Sequence, residues 1–216
     1  MNIKDWMAGS VFKNKDGTPL VWFHGTDSEV DFNVFTKTDD YSIGFHFGNA
    51  DAANDRINEM FRMVPRDENS GVIIPVICRA QSPLRLPDLY EWSLDQIADA
   101  MLNCDLIDDV EHEWLVQRWR LEDVFAILEE KGYDSVVYLN ECEHKEGEVD
   151  SIFVWRAELL KSPYAATFDP NDPRLLPQNK TSEADIENWE ILASEIEAAK
   201  EEYRDFVNQS AAIISP

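Results

Sequence analysis

The apolar positions fall into short β-type runs separated by helical stretches. Leu20-Val-Trp-Phe23 is compact, rich in large apolar residues and stops at His24-Gly25-Thr26, the pattern of a buried strand that ends abruptly. A second run, Gly44-Phe-His-Phe47, continues the alternation of Ile43, with Ile43, Phe45 and Phe47 on one face and Gly44 and His46 on the other. Between the two lies a polar, acidic loop, Asp27 to Tyr41, anchored by Phe32, Val34 and Phe35. From Asp51 to about Met63, Ala52, Ala53, Ile57, Met60 and Phe61 give an apolar helical stripe. Val72-Ile-Ile-Pro-Val-Ile-Cys78 reads as a β-branched strand whose Pro75 suggests an edge or a bulge.

Pro83 and Pro87 bracket an extended loop, and an acidic helical region follows, about 88–131. Ser93 is placed to cap its first helix, in which Leu94, Ile97, Ala98 and Met101 share a face. A second helix runs through Trp114, Leu115, Trp119, Val124, Phe125 and Leu128 to about Lys131, where Gly132 stops it. The tryptophans of this helix are expected in the core. Strands are expected from Tyr133 to Leu139 and from Val149 to Trp155, with a charged hairpin loop between them, and a short extended element at Leu159 to Pro163. The proline-punctuated stretch Phe168 to Pro173 is a linker. Thr181 or Ser182 caps a final helix to about Asn208, whose apolar residues Ile186, Trp189, Ala193, Ile196 and Tyr203 return every three or four positions and must pack on the domain or on a partner.

The 216 residues suffice for one elaborated domain or one domain with an appendage. With 44% hydrophobic residues, including 7 Trp and 11 Phe, the chain can bury a core, which excludes disorder throughout. Lys and Arg number 19 against 43 for Asp and Glu, a net charge of −24. Such a surface repels phosphate backbones and argues against direct nucleic-acid binding. It suits solubility or docking to a basic partner, such as a nucleic-acid-binding protein. Cys78, Cys104 and Cys142 show neither disulfide nor zinc spacing and fit a reducing cytoplasm. No secretory signal and no run long enough to span a membrane is visible, so no membrane association is expected.

The candidate chemistry sits at the ends of the first two strands. His24 can donate from one ring nitrogen and accept at the other, which suits a sugar hydroxyl. Gly25, without a Cβ, lets a ligand approach the main chain. His112 and His144 lie among acids (Glu111 and Glu113; Glu143 and Glu146) and read as a solvated charged face in preference to a metal site, so no metal is expected. Cys142, between two glutamates, would have a raised thiol pKa and is a poor nucleophile. The acidic segment 88–130 could also mimic nucleic-acid charge toward a basic target.

The order of His24-Gly25-Thr26, Gly44-Phe-His-Phe47 with an alanine-containing helix behind it, Gly132-Tyr-Asp-Ser-Val-Val and Asp150-Ser-Ile-Phe-Val-Trp155 resembles the ADP-ribosyltransferase superfamily. Within it the resemblance is to the diphtheria-toxin and poly(ADP-ribose)-polymerase side. It is nearer still to the small domains found in phage and mobile-element polyproteins, including anti-CRISPR ADP-ribosyltransferases. Leu160-Lys-Ser-Pro163 and Phe168 to Pro173 match the turn and tail of those domains. The resemblance covers roughly residues 10–175.

It implies an α+β fold with a split β-sheet core, here over residues 1–175 with the helical insertion about 88–131. Residues 176–216 form a linker and C-terminal amphipathic helix. It also implies NAD as substrate, with His24 on the adenosine ribose and the main chain of Gly25 holding the nicotinamide amide. Thr26, Gly44 and Phe45 line the same site. His46 stands where the family has a nicotinamide-stacking tyrosine. The next helix often supplies a second tyrosine, and here reads Asn54-Asp55-Arg56-Ile57, with Arg56 a candidate for the NAD phosphates. The family's catalytic glutamate falls on Ser151. Asp150, Glu148 and Glu141 are the candidates to replace it, Asp150 first by proximity. The implied activity is transfer of one ADP-ribose unit to a host or competitor protein. The alternatives are an inactive acidic binding protein that occludes a basic partner, and an NAD glycohydrolase.

Overall fold

The computed structural model describes residues 1–26, 32–36, 44–63, 71–89, 91–141 and 149–214. It is a mixed α+β chain with two β-sheets, several helices and a long C-terminal helix. The first sheet has the order β1-β3-β7: β1 (Val21–Thr26), β3 (Val72–Cys78) and β7 (Leu160–Lys161), all antiparallel. The second has the order β2-β6-β5-β4: β2 (Phe45–Phe47), β6 (Asp150–Val154), β5 (Ser135–Leu139) and β4 (Pro83–Arg85).

Period-two alternation assigns each strand's side chains to layers. Phe45, Phe47, Val137, Ile152 and Val154 face Trp22, Val76, Cys78 and Leu160 of the other sheet, a dry inter-sheet core. Leu84, Val136, Tyr138 and Phe153 point the other way, onto the helices. That second layer is α3 (Leu94–Asn103), α4 (Asp109–Arg118) and α5 (Leu121–Glu130). Its position has a topological cause. β4 and β5 are parallel neighbours, Leu84 opposite Val136, and parallel neighbours need a crossover of a dozen or more residues. The acidic insertion is that crossover, and β4, inside the stretch expected to be a loop, is the strand it starts from.

The single helix expected to end at Lys131 is two helices. Trp119 takes a left-handed conformation (φ 52°) and ends α4, and α5 starts two residues later. The break turns Arg118 onto Asp123, Nε to Oδ2 at 2.7 Å. Asp123 is fully buried, and desolvation holds its carboxyl above the usual range despite the guanidinium. The break also divides the tryptophans. Trp114 packs on Phe206, whereas Trp119 is 55% exposed rather than in the core. Ser93 occupies the N-cap of α3 but makes no capping bond to the helix. Gly132 (φ 88°) ends α5 as expected, with the Tyr133 N–H returning to the Leu128 carbonyl.

The final helix, α6 (Glu183–Ile214), is capped by Ser182, whose Oγ accepts from the Asp185 N–H. It runs past Asn208 and packs on its own chain. Leu192, Ile196 and Tyr203 are buried in the core shared with α5, and Ala199 is buried as well. Glu129 ties three elements together, accepting from Trp155 Nε1 at 2.9 Å, from Arg156 at 2.7 and 2.8 Å and from Lys200 at 3.2 Å. A short helix not expected from the sequence, α1 (Ile3–Trp6), seats Trp6 against Phe168. No helix among the described residues is long and apolar enough to cross a membrane.

Candidate active site

Among the described residues, one main-chain bridge joins the two sheets. Phe23 of β1 exchanges both main-chain hydrogen bonds with Gly48, just beyond β2, at 2.9 and 3.0 Å. Continuing that antiparallel register by two residues would set Gly25 opposite His46, but among the described residues no bridge forms there, and the His46 carbonyl takes the His24 ring instead. Along a strand, main-chain groups alternate in direction. Phe23 and Gly25 therefore direct their N–H and C=O toward the β2 side, while Trp22, His24 and Thr26 direct theirs to β3. The Gly25 main chain thus faces the opening between β1 and β2, with His46 on its far side.

His24 bridges the opening. Its Nδ1 lies 2.8 Å from the His46 carbonyl oxygen. A carbonyl only accepts, so Nδ1 carries the proton and Nε2 is left as an acceptor in the neutral ring. The imidazole is packed by Phe35 at 5.2 Å and Phe47 at 5.5 Å. Burial lowers its pKa, the hydrogen bond to His46 partly opposes this, and the charge of Arg56 lowers it further. His24 is therefore neutral at neutral pH. Arg56 is exposed on α2 (Ala50–Met63).

The reason for a glycine at position 25 differs from the one expected. A Cβ there would lie 2.1 Å from the carbonyl oxygen of Ala53. The side-chain face of Gly25 is filled by α2, and only its main-chain edge faces the opening. Gly44 (φ 52°) is similarly placed, because a Cβ would meet the Phe153 ring at 1.9 Å. Phe45 turns into the inter-sheet core, away from the opening. Thr26 ends β1 at the rim of a separate groove of about 610 Å³, floored by Val72 to Pro75.

His46 projects on the helical face of its sheet. Its ring stacks on Phe153 at 5.1 Å and meets Trp92 edge-on at 5.2 Å, and Nδ1 lies 3.1 Å from the Tyr138 hydroxyl. Trp92 comes from the segment between β4 and α3 and carried no signal in the sequence. Neither did Asp88, whose carboxylate receives Trp92 Nε1 at 3.3 Å and the Glu141 N–H at 2.8 Å.

Ser151 lies on this same face, opposite Tyr138. It is buried, and Asn140 Nδ2 donates to its Oγ at 3.1 Å. Asp150, its neighbour, is necessarily on the other face, where it pairs with Arg85 at 2.5 Å. Proximity in sequence thus does not bring Asp150 to His46. Glu141 is exposed, and its main-chain N–H shares the Asp88 carboxylate with the Trp92 indole. Glu148 lies outside the described residues, as do Cys142, Glu143, His144 and Glu146. His112 pairs with Asp99 at 2.8 Å, and among the described residues no group of side chains forms a metal site.

The fold and the opening define an α+β two-sheet domain with a histidine–glycine strand end at the point where the sheets part. The sequence model of one family, described as ADP-ribosyltransferase in polyvalent proteins, matches residues 14–170. The match spans most of the chain, so the protein belongs to that family; α6 lies beyond it. No curated protein and no solved structure matches the chain.

Proposed function

We propose that the protein is a mono-ADP-ribosyltransferase that moves ADP-ribose from NAD to a side chain of a target protein. The observation that carries this reading is the main-chain edge of Gly25 facing His46 across the parted strands, with His24 fixed beside it in one tautomer. Family membership supports the use of NAD. The Gly25 N–H and C=O can hold a primary carboxamide, which is both acceptor and donor, as nicotinamide is. His24 Nε2 can accept from a ribose hydroxyl. His46 offers a ring face to the pyridinium.

In the reaction, the bond from ribose C1′ to the nicotinamide nitrogen breaks and its electron pair returns to the ring, so nicotinamide leaves neutral. The acceptor side chain forms the new bond to C1′ and gives up its proton. The transition state resembles an oxocarbenium ion, which a nearby carboxylate stabilises. We assign that role to Glu141, whose main-chain N–H is held by Asp88, the partner of the Trp92 indole that meets His46. A target presenting a basic surface complements the net charge of −24. The test is incubation with labelled NAD and a lysate. Label on a discrete protein band, lost with His24→Ala, supports transfer; nicotinamide release without labelled protein moves the assignment to a glycohydrolase.

A second reading is favoured by one specific observation. The position of the family's glutamate is a buried serine already bonded to Asn140, and its neighbour Asp150 is paired elsewhere. A chain that kept the fold and lost the transfer would act by occluding a basic partner. Its activity would survive His24→Ala and fail at raised salt, because exposed charges are screened within about 8 Å at physiological ionic strength.

A further inference from the structure

The nicotinamide ring needs a second wall. His46 is one, and its inner face is taken by Phe153 at 5.1 Å. The helix after β2 offers none at the positions that follow the strand, because Asn54, Asp55 and Arg56 are polar and exposed. We propose that Trp92, carried in by the acidic crossover, is the second aromatic wall of the nicotinamide subsite. The proposal rests on the NAD-dependent reading above and adds a specificity-determining residue to it.

Four observations place Trp92 there. Its ring is 5.2 Å from His46 and 4.5 Å from Tyr138, the residue whose hydroxyl meets His46 Nδ1. His46 in turn lies where the register sets it opposite the Gly25 main chain, the element suited to the carboxamide. The indole N–H is committed to Asp88, which leaves the ring face as its remaining means of contact. Its backbone is left-handed (φ 49°), an unfavourable conformation for a bulky residue that persists only where the surroundings hold it.

Trp92 is half-buried, unlike its neighbours Tyr138 and Phe153, which are almost wholly buried. It lies outside any helix or strand. As the rings stand they touch, and a pyridinium enters between them only if the indole steps back by about one ring thickness. An electron-rich indole facing a cationic ring gains electrostatic as well as dispersion energy. The electrostatic part is lost when neutral nicotinamide is formed, so the wall holds substrate more tightly than the leaving group.

The test compares full-length wild type, Trp92→Phe and Trp92→Leu in calorimetric binding of NAD, of nicotinamide and of ADP-ribose, which lacks the pyridinium. Loss of one stacking aromatic is expected to weaken NAD binding on the order of ten- to a hundredfold in Trp92→Leu, with ADP-ribose affinity unchanged and most NAD affinity kept by Trp92→Phe. Unchanged NAD affinity in Trp92→Leu overturns the proposal, and so does an equal loss for ADP-ribose, which would mark a purely structural role. A second measurement does not depend on the leucine variant folding. NAD, but not ADP-ribose, should quench tryptophan emission in the wild type and should lose most of that effect in Trp92→Phe; equal quenching in the two proteins overturns the proposal. A wild type that binds no NAD overturns the functional reading and this inference together. NAD binding that ignores Trp92 overturns this inference alone.

Discussion

His24 hydrogen-bonds through its Nδ1–H to the main-chain oxygen of His46, two positions from the isolated bridge between Phe23 and Gly48. One bond thus sets the tautomer of the first histidine and the separation of the two strands. Replacing His24 by Ala is expected to abolish detectable transfer while leaving the partner-binding surface intact. Radiolabel transfer and a pull-down from the same lysate check the two halves of that expectation.

The same histidine predicts a pH profile. Its pKa is lowered in the folded chain, chiefly by burial. NAD affinity should be flat from pH 8 down to the ordinary histidine value near 6.5 and fall only in more acidic solution, where protonation removes the Nε2 acceptor. Stability follows the same sign. Below about pH 6.5 the unfolded chain takes up a proton that the folded chain resists, so stability drops as pH falls through that range. Calorimetric titrations of binding and unfolding between pH 5 and 8 would show both.

Lys161 predicts the opposite end of the scale. It is fully buried, its ammonium donating to the carbonyl oxygens of Leu160 and Asp172, and desolvation lowers its pKa to about 8. Between pH 8 and 10.5 the unfolded chain keeps a proton that the folded chain has released. Stability from this group therefore rises with pH across that window, by up to about 3 kcal/mol. Urea unfolding of wild type against Lys161→Met should show the rise only in the wild type.

Glu129 should behave as a buried hub. Glu129→Ala strips the buried partner from Arg156 and Lys200, which are 15% and 16% exposed, and leaves both cations to the one solvent-exposed carboxylate of Glu197. A loss of about 3–5 kcal/mol is expected, read as a lower urea midpoint. Asp150→Asn is the contrast. Its ion pair with Arg85 is largely solvent-exposed, so stability should change by less than about 1 kcal/mol, and NAD binding should not change.

Gly25→Ala should damage folding before chemistry. The added methyl meets the Ala53 carbonyl oxygen at 2.1 Å, and a main-chain atom cannot step aside as a side chain can. A loss of about 1–3 kcal/mol is expected, with α2 displaced from β1 and NAD binding weakened with it. Thermal unfolding and NAD titration of the one variant check both effects.

The local pattern along the chain carried most of the elements. β1, β3, β5, β6, α2, α3 and α6 follow from strand alternation, helical stripes and end signals, because these depend on neighbours a few residues apart. The break at Trp119 carried no glycine or proline to mark it; it exists because Arg118 must reach buried Asp123. β4 has no alternating pattern of its own and is a strand only because β5 lies beside it.

The site divides in the same way. His24, Gly25 and His46 stand out in sequence, since a strand that stops at histidine and glycine is a local feature. Whether Asp150 or Glu141 lies near His46 is not local. Adjacent residues on a strand point to opposite faces, so the residue next to Ser151 is turned away, while the main chain of Glu141 is tied to a carboxylate 53 positions earlier in the chain. Trp92 is the extreme case. Its place at the edge of His46 depends on a parallel strand pair, the crossover that pair requires and the contacts of Asp88, all of which exist only once the chain has folded.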